Sequence, residues 1–252
     1  FYGVPTQQQT APFFQMNNDT IALFAVDTGI ARRIDPKQMQ WLRDALAAAA
    51  GKMKMVILGH PFYAGGRFTA VEDSDFAQLH DVLRQHDVTI VMAGDTHDLE
   101  YYRVGDGPRA THPFVNGGGG AYLSFGTPLD WPAQPDAPVW AYYPNRADVV
   151  AKIRATTPWW KRPAWWWTEW AGAWPFSAEF VSAAFDVNAA PFFQSFVEIR
   201  FEPSKRRLRV IPWGVHGRIR WADFDRGGPA PIDADPNAWA EWVFPAAELS
   251  EV

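Results

Sequence analysis

Three short apolar blocks punctuate the first hundred residues: 19–26 (DTIALFAV), 53–58 (MKMVIL) and 88–93 (VTIVMA). Each is of strand length, and each runs straight into a polar turn: Asp27-Thr28-Gly29, Gly59-His60-Pro61 and Gly94-Asp95-Thr96-His97. Between the blocks the period changes. Met39, Leu42 and Leu46 recur at helical spacing, and so do Phe76, Leu79 and Leu83, which predicts two amphipathic helices. Asp35 before Pro36 is an N-cap followed by the residue favoured at the first helical position, and Gly51 supplies a stop.

Strand, helix, strand, helix, strand predicts an α/β fold with parallel pairing and helices packed on the sheet. Ligands bind in such sheets at the carboxyl ends of the strands. His60 lies two residues past the second block, and Asp95 two past the third, with His97 just beyond. They are separated by about one crossover unit, so neighbouring strands are expected to bring them together. A histidine at a strand end before proline is more often satisfied by a backbone partner than by a metal. The Asp95-x-His97 pair has fewer structural reasons to exist, because imidazole nitrogen and carboxylate oxygen together suit a divalent ion.

The chain changes character near residue 130. Prolines cluster over 128–138, and nine of the 14 tryptophans fall between Trp131 and Trp174. This predicts a first region, 1–130, and a tryptophan-rich second region, 131–252, packed on it. In the second, Val197, Ile199 and Phe201 alternate, as do Leu208 and Val210, across the turn Glu202-Pro203-Ser204-Lys205. That is the pattern of a β-hairpin. Residues 215–221 are expected to add a strand, and 177–185 a short helix. The stretch from Trp159 to Trp174 mixes indoles with Lys161 and Arg162. Its rings suit core filling, contact with a membrane surface, or stacking on a flat ligand.

The remaining polar signals have plain expectations. Asp27 is read as a turn residue, His80 and His86 as solvent-facing, His112 as a loop histidine and His216 as isolated. Gly117–Gly120 would either turn the chain or let backbone amides approach a phosphate; the turn is the simpler reading.

Composition narrows the function classes. A net charge of −5 with 20% charged residues gives no electrostatic footprint for nucleic acid. With no cysteine there is neither a disulfide framework nor a thiolate metal site, so any metal must be held by nitrogen and oxygen. No apolar run reaches the ~18–20 residues of a spanning helix.

The motifs, taken in order, resemble the calcineurin-like metallophosphoesterases, in particular the purple-acid-phosphatase-like branch. ILGHPFY (57–63) resembles the family's Gly-His motif, and VMAGDTHDLEYY (91–102) resembles its closing Gly-His-x-His. DTGIARRIDPKQMQWL (27–42) resembles the intervening Asp-Thr segment and its Gln-x-x-Trp-Leu helix, and the likeness extends over about residues 15–125. The resemblance implies the second half of a layered β-sandwich flanked by helices. It also implies a phosphoester substrate and two divalent ions of the Mn, Fe or Zn class. His60 matches a ligand of the second metal and His97 a ligand of the first. Asp95 stands where the family has a second-metal histidine. The family's earlier Asp-x-His, Gly-Asp-x-x-Asp and Gly-Asn-His-Asp/Glu do not occur ahead of His60. The chain is therefore expected to be a C-terminal part of the family core, inactive alone, with a binding-only or membrane-peripheral relative as the alternative.

Overall fold

The computed structural model describes residues 11–105, 107–119, 131–132, 135, 140–144, 159–160, 194–224 and 234–245. Its first half follows the periodicity. Strand β1 (Phe14–Asn17) turns back into β2 (Ile21–Val26); helix α1 (Pro36–Ala48) leads to β3 (Met53–Leu58). A two-strand hairpin, β4 (Tyr63–Ala64) and β5 (Arg67–Phe68), precedes helix α2 (Asp75–Gln85) and β6 (Ile90–Ala93). The cap of α1 is the one the sequence predicts. The Asp35 side chain accepts from the Lys37 and Gln38 amides with Pro36 at the first turn, and the Ser74 side chain accepts from the Ala77 amide at α2.

Strands β7 (Leu99–Arg103), β8 (His112–Asn116) and β9 (Trp140–Tyr142) complete a seven-stranded sheet in the order β1-β2-β3-β6-β8-β7-β9. β2, β3, β6 and β8 run parallel, while β1, β7 and β9 are antiparallel to their neighbours. A second sheet is built from β10 (Phe196–Glu202), β11 (Arg207–Gly214), β12 (Gly217–Arg218) and β13 (Trp242–Pro245), with β11 pairing all three others. The predicted hairpin is β10–β11. The strand expected over 215–221 is shorter, and a single helical turn, α3 (Trp221–Phe224), follows it.

Period-2 geometry sorts the large sheet into two faces. Ala22, Phe24, Val26, Val56, Leu58 and Val91 face the helices and pack on Leu42, Leu46, Phe76, Leu79 and Leu83. Met53, Met55, Ile90, Met92, Leu99, Tyr101 and Phe114 face the second sheet and meet Leu208, Val210, Trp221, Trp242 and Phe244. The molecule is an α/β sandwich of helices, large sheet and small sheet. β9, drawn from beyond residue 130, belongs to the large sheet, so one core crosses the position where the composition changes.

Two expectations are corrected. His80 is not solvent-facing. It is buried among Phe62, Tyr63 and Phe68, with Tyr63 Oη 3.4 Å from its Nε2, because its place beside Leu79 and one turn past Phe76 turns it toward the core. His112 is not a loop residue. It opens β8, and its Nδ1 lies 2.8 Å from the Tyr101 hydroxyl. Burial lowers both imidazoles to about 4. At Gly117–Gly119 the chain turns, as the simpler reading has it, and a Cβ on Gly117 would lie 1.7 Å from the Thr96 carbonyl oxygen. The helix expected over 177–185 lies outside the described residues, as does the stretch to Trp174 apart from Trp159 and Trp160, which are 76% and 61% exposed.

Candidate functional site at the carboxyl edge of the sheet

Parallel register brings the polar turns together. Leu58 pairs with Ala93, and the Gly94 amide continues the ladder by donating to the Gly59 carbonyl at 3.0 Å. One step further along, His60 stands opposite Asp95, with Nε2 and Oδ2 3.8 Å apart. On the other side Val26 pairs with Leu58, which carries Thr28 to the level of His60. The Thr28 hydroxyl is buried, lies 4.0 Å from the position of a Cβ on Gly59, and has no hydrogen-bond partner. His60 Nδ1 is likewise buried and unpartnered. Asp27 behaves as a turn aspartate: its carboxylate accepts the Gly29 amide, and Gln38 brackets its backbone from α1.

Asp95 is held in an unusual backbone. Its φ is +69°, and the Thr96 amide donates across it to the Gly94 carbonyl at 2.9 Å. This is the γ-turn with a left-handed centre, a rare and strained conformation. A second left-handed residue faces it from the loop after β2. Arg32, with φ +54°, places Nη2 3.7 Å from the same Asp95 Oδ2. Both side chains are open to solvent, at 39% and 46%. Sequence reasoning missed Arg32, since nothing in the spacing of residues 27–42 ties it to Asp95. Non-glycine left-handed residues gather at functional sites, but φ is not legible in a sequence.

In sequence His97 follows two residues after Asp95 and is half-buried. The structure brings His60 and Asp95 together and does not gather His97 with them. Among the described residues no group of three His, Asp or Glu side chains is close enough to hold a metal ion. The donor types suit a divalent cation; His60 and Asp95 stand 3.8 Å apart, and the carboxylate oxygen is shared with a guanidinium. Among the described residues His60 and Asp95 are thus nitrogen and oxygen donors of the kind a divalent ion takes, short of a full coordination set.

Neither the protein-family models nor the curated proteins contain a match to this chain. Solved structures do. The chain is similar to the purple acid phosphatase PPD1 from yellow lupin seeds, at 10% identity and a TM-score of 0.49, over 92% of this chain and 32% of that one. It is also similar to GAP50, the anchor in the inner membrane complex of Plasmodium, at 16% identity and a TM-score of 0.31, over 44% of this chain and 37% of that one. It spans about a third of the length of each.

Behind the site lies a buried polar ladder that the motif reading did not single out. Asp98, just ahead of β7, and Glu100 and Tyr102 on it alternate with Leu99 and Tyr101, which face the second sheet. Glu100 Oε2 accepts from the Tyr102 hydroxyl and, at 2.9 Å, from the Gly65 amide; the Gly66 amide donates to Tyr102 Oη, also at 2.9 Å. Burial pushes the Asp98 carboxyl up to about 7, against the opposing pull of Thr96 and Glu100. Burial and the neighbouring Asp98 push Glu100 well above the usual carboxylate range. The pair thus keeps a proton at neutral pH. The ladder ties the hairpin after His60 to the strand after His97, and the Asp98 carbonyl accepts the Gly117 amide.

Proposed function

We propose that the chain is part of a phosphoester hydrolase of the calcineurin-like metallophosphoesterase kind, and that by itself it turns over no phosphoester. The observation that carries this reading is the register that sets His60 opposite Asp95 at 3.8 Å, within the motif order Gly-His-Pro and Gly-Asp-x-His. In the proposed enzyme His60, Asp95 and His97 contribute to a centre of two divalent ions, Asp95 exchanging its Arg32 partner for metal. Such a pair of ions would acidify a water and neutralise charge at phosphorus. This chain's part is to orient the donors, through β3, β6 and the γ-turn.

The purified chain is to be dialysed against Mn, Fe and Zn salts and its metal content measured beside His60→Ala and His97→Ala, with bis(p-nitrophenyl) phosphate as substrate. The expected result is metal uptake in the wild type that falls in both variants, and no turnover. Equal metal content in all three proteins would remove the ligand assignment. Robust turnover lost in His97→Ala would remove the claim that the chain is inactive alone.

The ion pair of Arg32 with Asp95 favours a second reading, a binding-only relative in which that carboxylate is no longer a ligand. The exposed Trp159 and Trp160 suggest membrane-surface contact as its mode. Vesicles of neutral or anionic lipid should then blue-shift tryptophan fluorescence, and an unchanged spectrum with both eliminates that mode.

A further inference from the structure

We propose that Arg32 is the anion-binding residue of this edge, and that it takes a tetrahedral oxyanion of the phosphate class without any metal. The inference rests on the phosphoester reading only for the class of ligand. Arg32 approaches Asp95 to 3.7 Å, ion-pair range but longer than a hydrogen bond. Its side chain is 39% exposed, leaving guanidinium donors turned to solvent, and a planar fork of this kind matches phosphate oxygens two at a time. The same loop carries the buried Thr28 hydroxyl, which has no partner and faces the Gly59-His60 turn. Arg32 and His60 thus reach the same Asp95 oxygen from the loops after β2 and β3, with the Thr28 hydroxyl buried against the Gly59-His60 turn. Asp95 opposes such a ligand: it holds the guanidinium in place and repels an incoming anion.

This arrangement gives the two partners of one ion pair opposite signs. Inorganic phosphate and phenyl phosphate are titrated calorimetrically into the chain after chelator treatment, at low salt, for the wild type, Arg32→Gln, Arg32→Lys and Asp95→Asn. Arg32→Gln should weaken binding at least tenfold, Arg32→Lys less, and Asp95→Asn should strengthen it several-fold. If Arg32 merely braces the loop, Arg32→Gln and Asp95→Asn break the same pair and shift affinity in the same direction, which overturns the proposal. Unchanged affinity in Arg32→Gln, or no wild-type binding of either ligand, overturns it as well. Tighter binding of phenyl phosphate than of phosphate marks an ester site, and the reverse marks a free-phosphate site; either supports the oxyanion assignment. The titrations contain no metal, so failure of the metal-centre reading leaves their outcome untouched.

Discussion

The two faces of strand β7 are buried equally and filled by opposite means. Toward the small sheet, Leu99 and Tyr101 enter an aromatic layer with Phe114 and Trp242, ring centroids of Tyr101 and Trp242 4.6 Å apart. Toward the helices, Asp98, Glu100 and Tyr102 enter a polar ladder in which Glu100 Oε2 and Tyr102 Oη accept backbone amides. The first face is held by area and tolerates small shifts of position. The second is held by direction, because each buried polar atom left without a partner costs its full desolvation. The directional face is the one that adjoins the candidate site, where loop positions matter most.

Truncation should show the difference in size as well as kind. Trp242→Ala on the aromatic side removes a large buried ring and should cost about 3–5 kcal/mol in urea unfolding; a loss under ~1 kcal/mol would mean that the two sheets are held together elsewhere. On the polar side, Glu100→Ala orphans the Gly65 amide and the Tyr102 hydroxyl and should cost about 2–4 kcal/mol. Glu100→Gln keeps an acceptor oxygen and resembles the protonated carboxyl, so it should stay within about 1 kcal/mol of the wild type. Equal damage by both substitutions would show that Glu100 is ionised in the folded state.

The smallest effect is one of pH. His80 has its pKa lowered to about 4 by burial, so below the unfolded value near 6.5 the unfolded chain takes up a proton that the folded chain refuses. Its contribution is complete above about pH 6.5 and is lost as pH falls toward 4, at most about 2–3 kcal/mol. His112 acts in the same direction. The Asp98–Glu100 pair acts oppositely: its raised pKa stabilises the fold at low pH and is lost as pH rises through about 7. His80→Gln should therefore flatten the acid limb of a stability profile and leave the limb near pH 7 unchanged. An identical acid limb in the variant would put the titration elsewhere.

The β/α alternation was legible because there local signals agree: apolar blocks of strand length, helical spacing between them, Asp35-Pro36 and Gly51 as punctuation. The level of His60 and Asp95 followed from strand ends alone. What escaped did so for physical reasons. Asp98 and β7 together read DLEYYR, and Asp98 and Glu100 are buried, so alternation by type marks the wrong face as wet. β4 and β5 are two residues each, too short for any period. Arg32 reaches Asp95 from another loop, a contact set by tertiary geometry.

The Gly65-Gly66 turn carries one more consequence. Both residues have positive φ, and a Cβ on either would meet the rings of Trp131 or Tyr143 at 2.6 Å. Their amides bond to buried acceptors on β7. A two-residue hairpin tip would ordinarily lose its amide protons to deuterated solvent at once. Here the two protons are released only when the turn lifts off β7, so the loop after His60 and the strand after His97 should open together, as one cooperative unit.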